Sequence, residues 1–238
     1  MATRILRKKN NFIILNEDLP DIGETIFTDI EDNQALESGR KVAGRGTVTF
    51  FKGFGLDLVH KTYKRGGLIR KLVSSVYLWT GLKKTRAYIE FNGLKKMLDL
   101  GLPVPRPVAA RIIRNGIFYR AELITQEIEN ATTLGNNLIE NNLSTGVLKE
   151  LGVAIRSLHG AGFMHPDLNI ENILIGDSKK IFFLDFDQTK PLKQKETQFG
   201  RNLERLRRSI EKFCKKNERD FPEREWQIML EAYHSNTL

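Results

Sequence analysis

The sequence predicts an α+β chain in two parts, a strand-rich first half carrying one helix and a mainly helical second half. Three observations carry this. Glycine turns at Gly44-Arg45-Gly46 and Gly53-Phe54-Gly55 each lead into runs of β-branched and aromatic residues. Ala87, Phe91, Leu94 and Leu98 recur at helical spacing, and Gly101 followed by Pro103, Pro105 and Pro107 stops that helix. Later in the chain, helical stripes dominate. We therefore expect an N-terminal lobe over 1–125 and a C-terminal lobe over 126–238, with the crossing near Leu123 to Asn130, the two making one unit.

Taken in order, Val48 to Phe51 and Leu56 to Tyr63 read as antiparallel strands behind their glycine turns. Residues 86–100 read as the helix. Arg114-Asn115-Gly116 separates two apolar runs and predicts a hairpin. Ser144 is placed to cap a helix whose core face is Val147, Leu148, Leu151, Ile155 and Leu158. Two more helical stripes close the chain, one through Leu203, Leu206, Ile210 and Phe213, the other through Trp226, Met229, Leu230 and Tyr233.

At 238 residues, with 40% apolar and 28% charged residues, the chain is long and apolar enough to fold rather than remain disordered. Cys214 is the single cysteine, so no intrachain disulfide is possible and a reducing compartment is expected. The start of the chain has only a short apolar stretch at Phe12 to Leu15, so no signal peptide is expected. No run approaches the ~20 apolar residues of a spanning helix. The net charge of +9 is local: residues 61–86 hold Lys61, Lys64, Arg65, Arg70, Lys71, Lys83, Lys84 and Arg86 with no acid. Such a concentration asks for an anionic partner.

The chemistry concentrates at His165-Pro166-Asp167-Leu168-Asn169-Ile170-Glu171-Asn172, followed by a strand and then Leu184-Asp185-Phe186. An Asp, an Asn five residues later, and an Asp-Phe after a second strand form the layout of a kinase catalytic loop and its metal-binding acid. In that chemistry Asp167 accepts the proton of an acceptor hydroxyl. Asn172 and Asp185 offer oxygens to Mg²⁺, which bridges the phosphates of ATP. His165 is expected to be architectural. Asn169 either contacts phosphate or supports Asp167, and Asp187 either reaches a second metal or caps the next segment of chain. His159 and His234 are expected to be structural.

A phosphoryl-transfer site also needs a cation on the phosphates and an acid to orient it. Lys61 follows the glycine turns on a strand, where alternation puts Val59, Lys61 and Tyr63 on one face and Lys64 on the other. Glu90, in the following helix, is its expected partner. Gly44 and Gly46 are the candidate turn over the phosphates. The expected fold is therefore protein-kinase-like and two-lobed, with a reduced helical C-terminal lobe and ATP in the cleft. No Ala-Pro-Glu sequence follows Asp185, which makes a peptide-docking lobe doubtful.

Between Lys71 and Lys83 the chain is apolar and carries Tyr77 and Trp79. Aromatics fenced by cations suit an anionic membrane surface; the alternative is a segment that folds back on the protein. Nucleic acid is not expected, because the regularly interleaved aromatics of a single-strand binder are missing.

Gly44-Arg45-Gly46-Thr47, Tyr63-Lys64-Arg65-Gly66-Gly67, Gly101-Leu102-Pro103-Val104-Pro105-Arg106-Pro107, Ile128-Glu129-Asn130-Ala131 and the His165 loop resemble the lipopolysaccharide kinase family, in particular its 3-deoxy-D-manno-octulosonic acid (Kdo) kinases. The resemblance runs from about Asn11 to Tyr233. It implies ATP-dependent phosphorylation of the 4-hydroxyl of a Kdo residue on lipid A, within lipopolysaccharide biosynthesis. It further implies a peripheral protein on the cytoplasmic side of the cell inner membrane, with Asp167 as base and Asn172 and Asp185 as metal ligands. The competing readings are a small atypical protein or small-molecule kinase, and an ATP-binding regulator without catalysis.

Overall fold

Eight described strands pair antiparallel into one sheet, in the order Thr3–Lys8, Asn11–Asn16, Pro107–Asn115, Phe118–Gln126, Leu56–Thr62, Thr47–Gly53 and Lys41–Ala43, with Tyr77–Leu78 also on Phe118–Gln126. In this computed structural model the residues described are 2–19, 22–31, 41–43, 47–64, 76–187, 189 and 196–235. The chain divides into two compact units, Met1–Lys96 with Pro105–Glu127, and Met97–Val104 with Ile128–Leu238.

The first unit contains β1 (Thr3–Lys8), β2 (Asn11–Asn16), α1 (Ile26–Glu31), β3 (Lys41–Ala43), β4 (Thr47–Gly53), β5 (Leu56–Thr62), β6 (Tyr77–Leu78), most of α2 (Arg86–Asp99), β7 (Pro107–Asn115) and β8 (Phe118–Gln126). Directly paired residues share a face of the sheet, and faces alternate along each strand. Ile13, Leu15, Leu58, Ala109 and Ile124 therefore lie on one face, where they form a buried cluster with Ile26 and Phe27 of α1. α2 covers the other face. Its backbone N–H at Arg86 donates to Tyr119 Oη at 3.1 Å, and Lys95 Nζ donates to Thr3 Oγ1 at 2.7 Å. The β7–β8 hairpin turns at Gly116, whose φ of +58° is the left-handed value that a two-residue hairpin turn needs.

α2 presents Ala87, Phe91, Leu94 and Met97 as a buried stripe. It ends in a Schellman motif: Gly101 (φ +74°) donates to Leu98 O at 2.9 Å and Leu102 donates to Met97 O at 2.9 Å. Pro103 O then accepts from Phe183 N–H, which ties this proline segment into the second unit.

The second unit contains β9 (Thr132–Thr133), α3 (Leu134–Ile139), α4 (Thr145–Gly160), β10 (Ile173–Ile175), β11 (Ile181–Phe183), α5 (Glu196–Lys216) and α6 (Glu223–His234). Ser144 caps α4 as expected, accepting from Val147 N–H. The helix buries Val147, Leu148, Leu151, Ile155 and Leu158. α4 and α6 approach closely at Gly152, where a methyl group would run into Met229 O and the backbone N of Tyr233. Among the described residues, no helix is long and apolar enough to cross a membrane.

Candidate active site

The loop from His165 to Asn172 leaves α4 through Gly162, whose φ is +79°. Leu168 and Ile170 point into the core and anchor the loop. His165 is fully buried and uses both ring nitrogens. Nδ1 accepts from Asp167 N–H at 3.1 Å, and Nε2–H donates to Leu184 O at 2.6 Å. A backbone N–H can only donate, so the imidazole is neutral with its proton on Nε2. The ring therefore links the Asp167 backbone to the residue before Asp185.

Asn169 supports Asp167 directly. Its Nδ2 donates to Asp167 O at 3.0 Å and to Asp167 Oδ2 at 3.2 Å, while its Oδ1 accepts from Glu171 N–H and Asn172 N–H. Asn172 Nδ2 donates to Asp167 O at 3.0 Å, and Asn172 O accepts from Leu184 N–H at 2.9 Å. The candidate base and the candidate ligand Asn172 are thus joined by a hydrogen bond, and Asn172 is joined in turn to the residue before Asp185. Asp185 has φ +61°. That left-handed conformation costs a non-glycine residue ~1–2 kcal/mol and persists where the surroundings hold it, often at functional positions.

Arg205 is a member of this site that the sequence did not single out. It lies on α5, and its Nη1 donates to Asp167 Oδ1 at 2.7 Å, with side-chain exposures of 49% and 52%. It sits in a basic cluster with Arg201, Arg207 and Arg208. Another member of that cluster is structural: Arg207 bonds Glu211 and Glu223 and lies 4.7 Å over the Phe221 ring.

A buried polar chain stands behind the loop. Tyr233 Oη lies 2.9 Å from His159 Nδ1, and His159 Nε2 lies 3.0 Å from Asn202 Oδ1. Asn202 Nδ2 donates to His165 O at 2.8 Å, and Asn202 Oδ1 also accepts from His165 N–H. Burial pushes the His159 pKa below its ordinary value, and the hydrogen bond with Asn202 only partly opposes this. His159 is therefore neutral, donating from Nε2 and accepting from Tyr233, with Phe199 stacked on its ring at 4.4 Å. The chain α6–α4–α5 thereby holds the backbone of His165.

In the first unit, Lys61 Nζ lies 3.0 and 2.8 Å from the two oxygens of Glu90, which is only 3% exposed. Tyr63 Oη donates to Glu90 Oε2 at 2.5 Å, and Lys61 Nζ sits 4.7 Å over the Tyr63 ring. β-strand alternation puts Lys61 and Tyr63 on one side, while Lys64 is exposed. Tyr63 as a third member was readable from that alternation but was not assigned. On the opposite face, burial pushes Glu122 up, but His60 at 3.7 Å and Arg111 at 2.7 Å outweigh it and hold the carboxyl at about 2.

Gly44 and Gly46 lie outside the described residues, as do 65–75 of the basic segment. Tyr77 and Trp79, expected at a lipid interface, instead pack on the sheet. Tyr77 pairs with Tyr119 in the β6–β8 ladder, and Trp79 stacks on Phe12 at 5.5 Å. Strand pairing turns these rings inward and leaves Leu78 outside.

The fold and this loop define a protein-kinase-like phosphotransferase. A solved structure titled WaaP in complex with acyl carrier protein shares the fold, with a TM-score of 0.60 over 93% of this chain and 88% of that one at 14% identity. The chain belongs to the Lipopolysaccharide kinase (Kdo/WaaP) family, whose model matches residues 33–233. It is 38% identical to a 3-deoxy-D-manno-octulosonic acid kinase of Vibrio parahaemolyticus serotype O3:K6 (strain RIMD 2210633), over 95% of both chains. It is 41% identical to one of Vibrio cholerae serotype O1 (strain ATCC 39315 / El Tor Inaba N16961) over 73% of this chain and 74% of that one. A Haemophilus influenzae (strain PittEE) protein of the same name is 36% identical over 96% of this chain and 98% of the relative.

Proposed function

We propose that the chain transfers the terminal phosphoryl group of ATP to the 4-hydroxyl of a Kdo residue on lipid A. The observation that carries this is the bonded loop Asp167–Asn172–Leu184 leading into Asp185, in a chain 38% identical over 95% of its length to a protein named for that activity. Asp167 accepts the hydroxyl proton. Lys61, oriented by Glu90, is the cation for the nucleotide phosphates, and Gly44 and Gly46 are the sequence's candidates for contacting them.

Asn172 and Asp185 are the residues that would hold Mg²⁺. Their chemistry fits: Asn172 Nδ2 is engaged with Asp167 O, which orients its Oδ1 as the amide's acceptor, and Asp185 supplies a carboxylate. Hard oxygen donors of this kind suit Mg²⁺, which takes its remaining ligands from water and phosphate. When bound, the ion neutralises charge developing on the phosphates.

The acceptor is a membrane lipid, so we place the protein at the cytoplasmic face of the inner membrane, peripherally, held to anionic lipid through cations of residues 61–86. Incubation with labelled ATP, Mg²⁺ and Kdo-lipid A tests the reading. Label in the lipid is the expected result. Label in added protein or an aminoglycoside, with none in the lipid, selects another kinase class. Nucleotide binding without transfer to any acceptor selects a regulator.

A further inference from the structure

One end of the first unit's sheet joins two features that are independent in sequence. Three segments meet there, 2–13, 76–88 and 107–121, through the pairings of β1 with β2, β2 with β7, β7 with β8 and β6 with β8. Together they hold ten Lys and Arg and no Asp or Glu, and of the ten Lys8 pairs with Glu24 and Arg111 with Glu122 from outside these segments. At the same end large apolar side chains stand in solvent: Leu78 is 55% exposed, Ile117 64% and Phe118 41%.

These three are neighbours. Leu78 is directly opposite Phe118 in the ladder, and the backbone N–H of Trp79 bonds Ile117 O at 2.8 Å. Leu78 and Phe118 share the sheet face that α1 covers further along, but here both side chains are exposed and no described element covers them. Ile113 continues the exposed row, paired with Arg120. On the other face the rings of Trp79, Phe12 and Tyr119 pack together beneath the turn, with Arg114 5.2 Å over Trp79. The hairpin tip is thus a stiff wedge, apolar outside and braced by aromatics behind.

Exposed apolar groups on a braced tip beside Lys83, Lys84, Arg114 and Arg120 match the chemistry of an anionic bilayer surface. Apolar groups enter the headgroup–acyl boundary while Lys and Arg meet phosphates. We propose that this end of the sheet is the membrane-docking surface, with Leu78, Ile117 and Phe118 inserting and Lys83, Lys84, Arg114 and Arg120 binding lipid phosphates. This rests on the lipid-acceptor reading above and locates where that lipid surface is met. It moves insertion away from Tyr77 and Trp79, which the sheet already occupies.

The test is flotation of the full chain with vesicles of phosphatidylethanolamine and phosphatidylglycerol. Wild type partitions into the vesicle layer. Leu78→Ser/Ile117→Ser/Phe118→Ser reduces partitioning about tenfold or more. Lys83→Gln/Lys84→Gln/Arg120→Gln reduces it too and weakens its salt dependence. Phosphorylation of detergent-dispersed Kdo-lipid A by the serine variant stays near wild type, because the three side chains are exposed and outside the catalytic groups. Equal partitioning of serine variant and wild type overturns the proposal, even if the lipid is phosphorylated. A wild-type chain that ignores anionic vesicles, or that uses this face to dimerise or to hold a protein instead, overturns it as well. Loss of partitioning in the serine variant with no phosphorylation of Kdo-lipid A by wild type supports the surface and removes the acceptor assignment instead.

Discussion

Arg205 Nη1 and Asp167 Oδ1 are 2.7 Å apart, so a guanidinium on α5 meets the carboxylate assigned as the base. Both side chains are about half exposed, and exposed pairs of this kind contribute ~0–1 kcal/mol to stability. The contact therefore orients the carboxylate rather than holding the fold. Arg205→Ala should leave thermal unfolding within a degree or two and slow phosphoryl transfer by roughly 10–100-fold. Asp167→Ala should remove activity by at least ~10²-fold with an unchanged circular dichroism spectrum. A fast Asp167→Ala enzyme would show that another group takes the proton.

Lys61 and Glu90 separate stability from function. Lys61→Met takes the ammonium away from a nearly buried carboxylate that Tyr63 also bonds, at a cost of ~3 kcal/mol, and removes the proposed phosphate anchor, expected to be worth ~10²-fold or more in turnover. Adding Glu90→Gln removes the buried charge that lost its ammonium. The double variant should recover most of the lost stability in urea unfolding and none of the activity. Recovery of both would mean that Lys61 is only structural.

The polar chain behind the loop makes stability depend on pH. The folded pKa of His159 lies below its ordinary 6.5, so the unfolded chain binds the extra proton first. Stability from this group is complete above about 6.5 and is lost as pH falls below that value. Glu122 has the acid-side counterpart, folded at about 2 against 4.5, so its contribution is present above 4.5 and is lost on going down toward 2. Urea midpoints measured at about pH 7.5 and about pH 5.5 should fall for wild type. In His159→Gln the starting midpoint should be lower but the fall smaller. An equal fall in both proteins would place the titration elsewhere.

The bonded loop Asp167–Asn172–Leu184 was legible because its groups are close in sequence: the Asp-to-Asn spacing and the two short strands fix one another. α4 was legible because Ser144 and five apolar residues carry both its start and its face. Arg205 was not, because it reaches Asp167 from 38 residues away and nothing local distinguishes it from the arginines around it. Tyr77 and Trp79 were misplaced for a related reason. An aromatic run fenced by cations has the same composition whether it meets lipid or pairs with a distant strand, and only the Tyr77–Tyr119 register decides. The β1–β2 hairpin and α3 were too short for their periodicity to stand out.

Gly152 reports on the helical support of the second unit. A methyl group there meets α6 backbone, which cannot rotate away as a side chain can. Gly152→Ala should destabilise by ~1–3 kcal/mol despite its better helix propensity, read as a lower urea midpoint. Gly160→Ala, at a position open to solvent, should show no comparable loss.

The site's functional assignments depend on transfer of phosphate to a lipid-linked Kdo hydroxyl by the Asp167 loop. Mass spectrometry of Kdo-lipid A recovered after incubation with ATP and Mg²⁺ tests it most directly. One added phosphate, located on the Kdo residue, is expected in the wild-type reaction and none with Asp167→Ala. Unmodified lipid from an active, ATP-consuming enzyme, or phosphate placed on the glucosamine backbone, would contradict it.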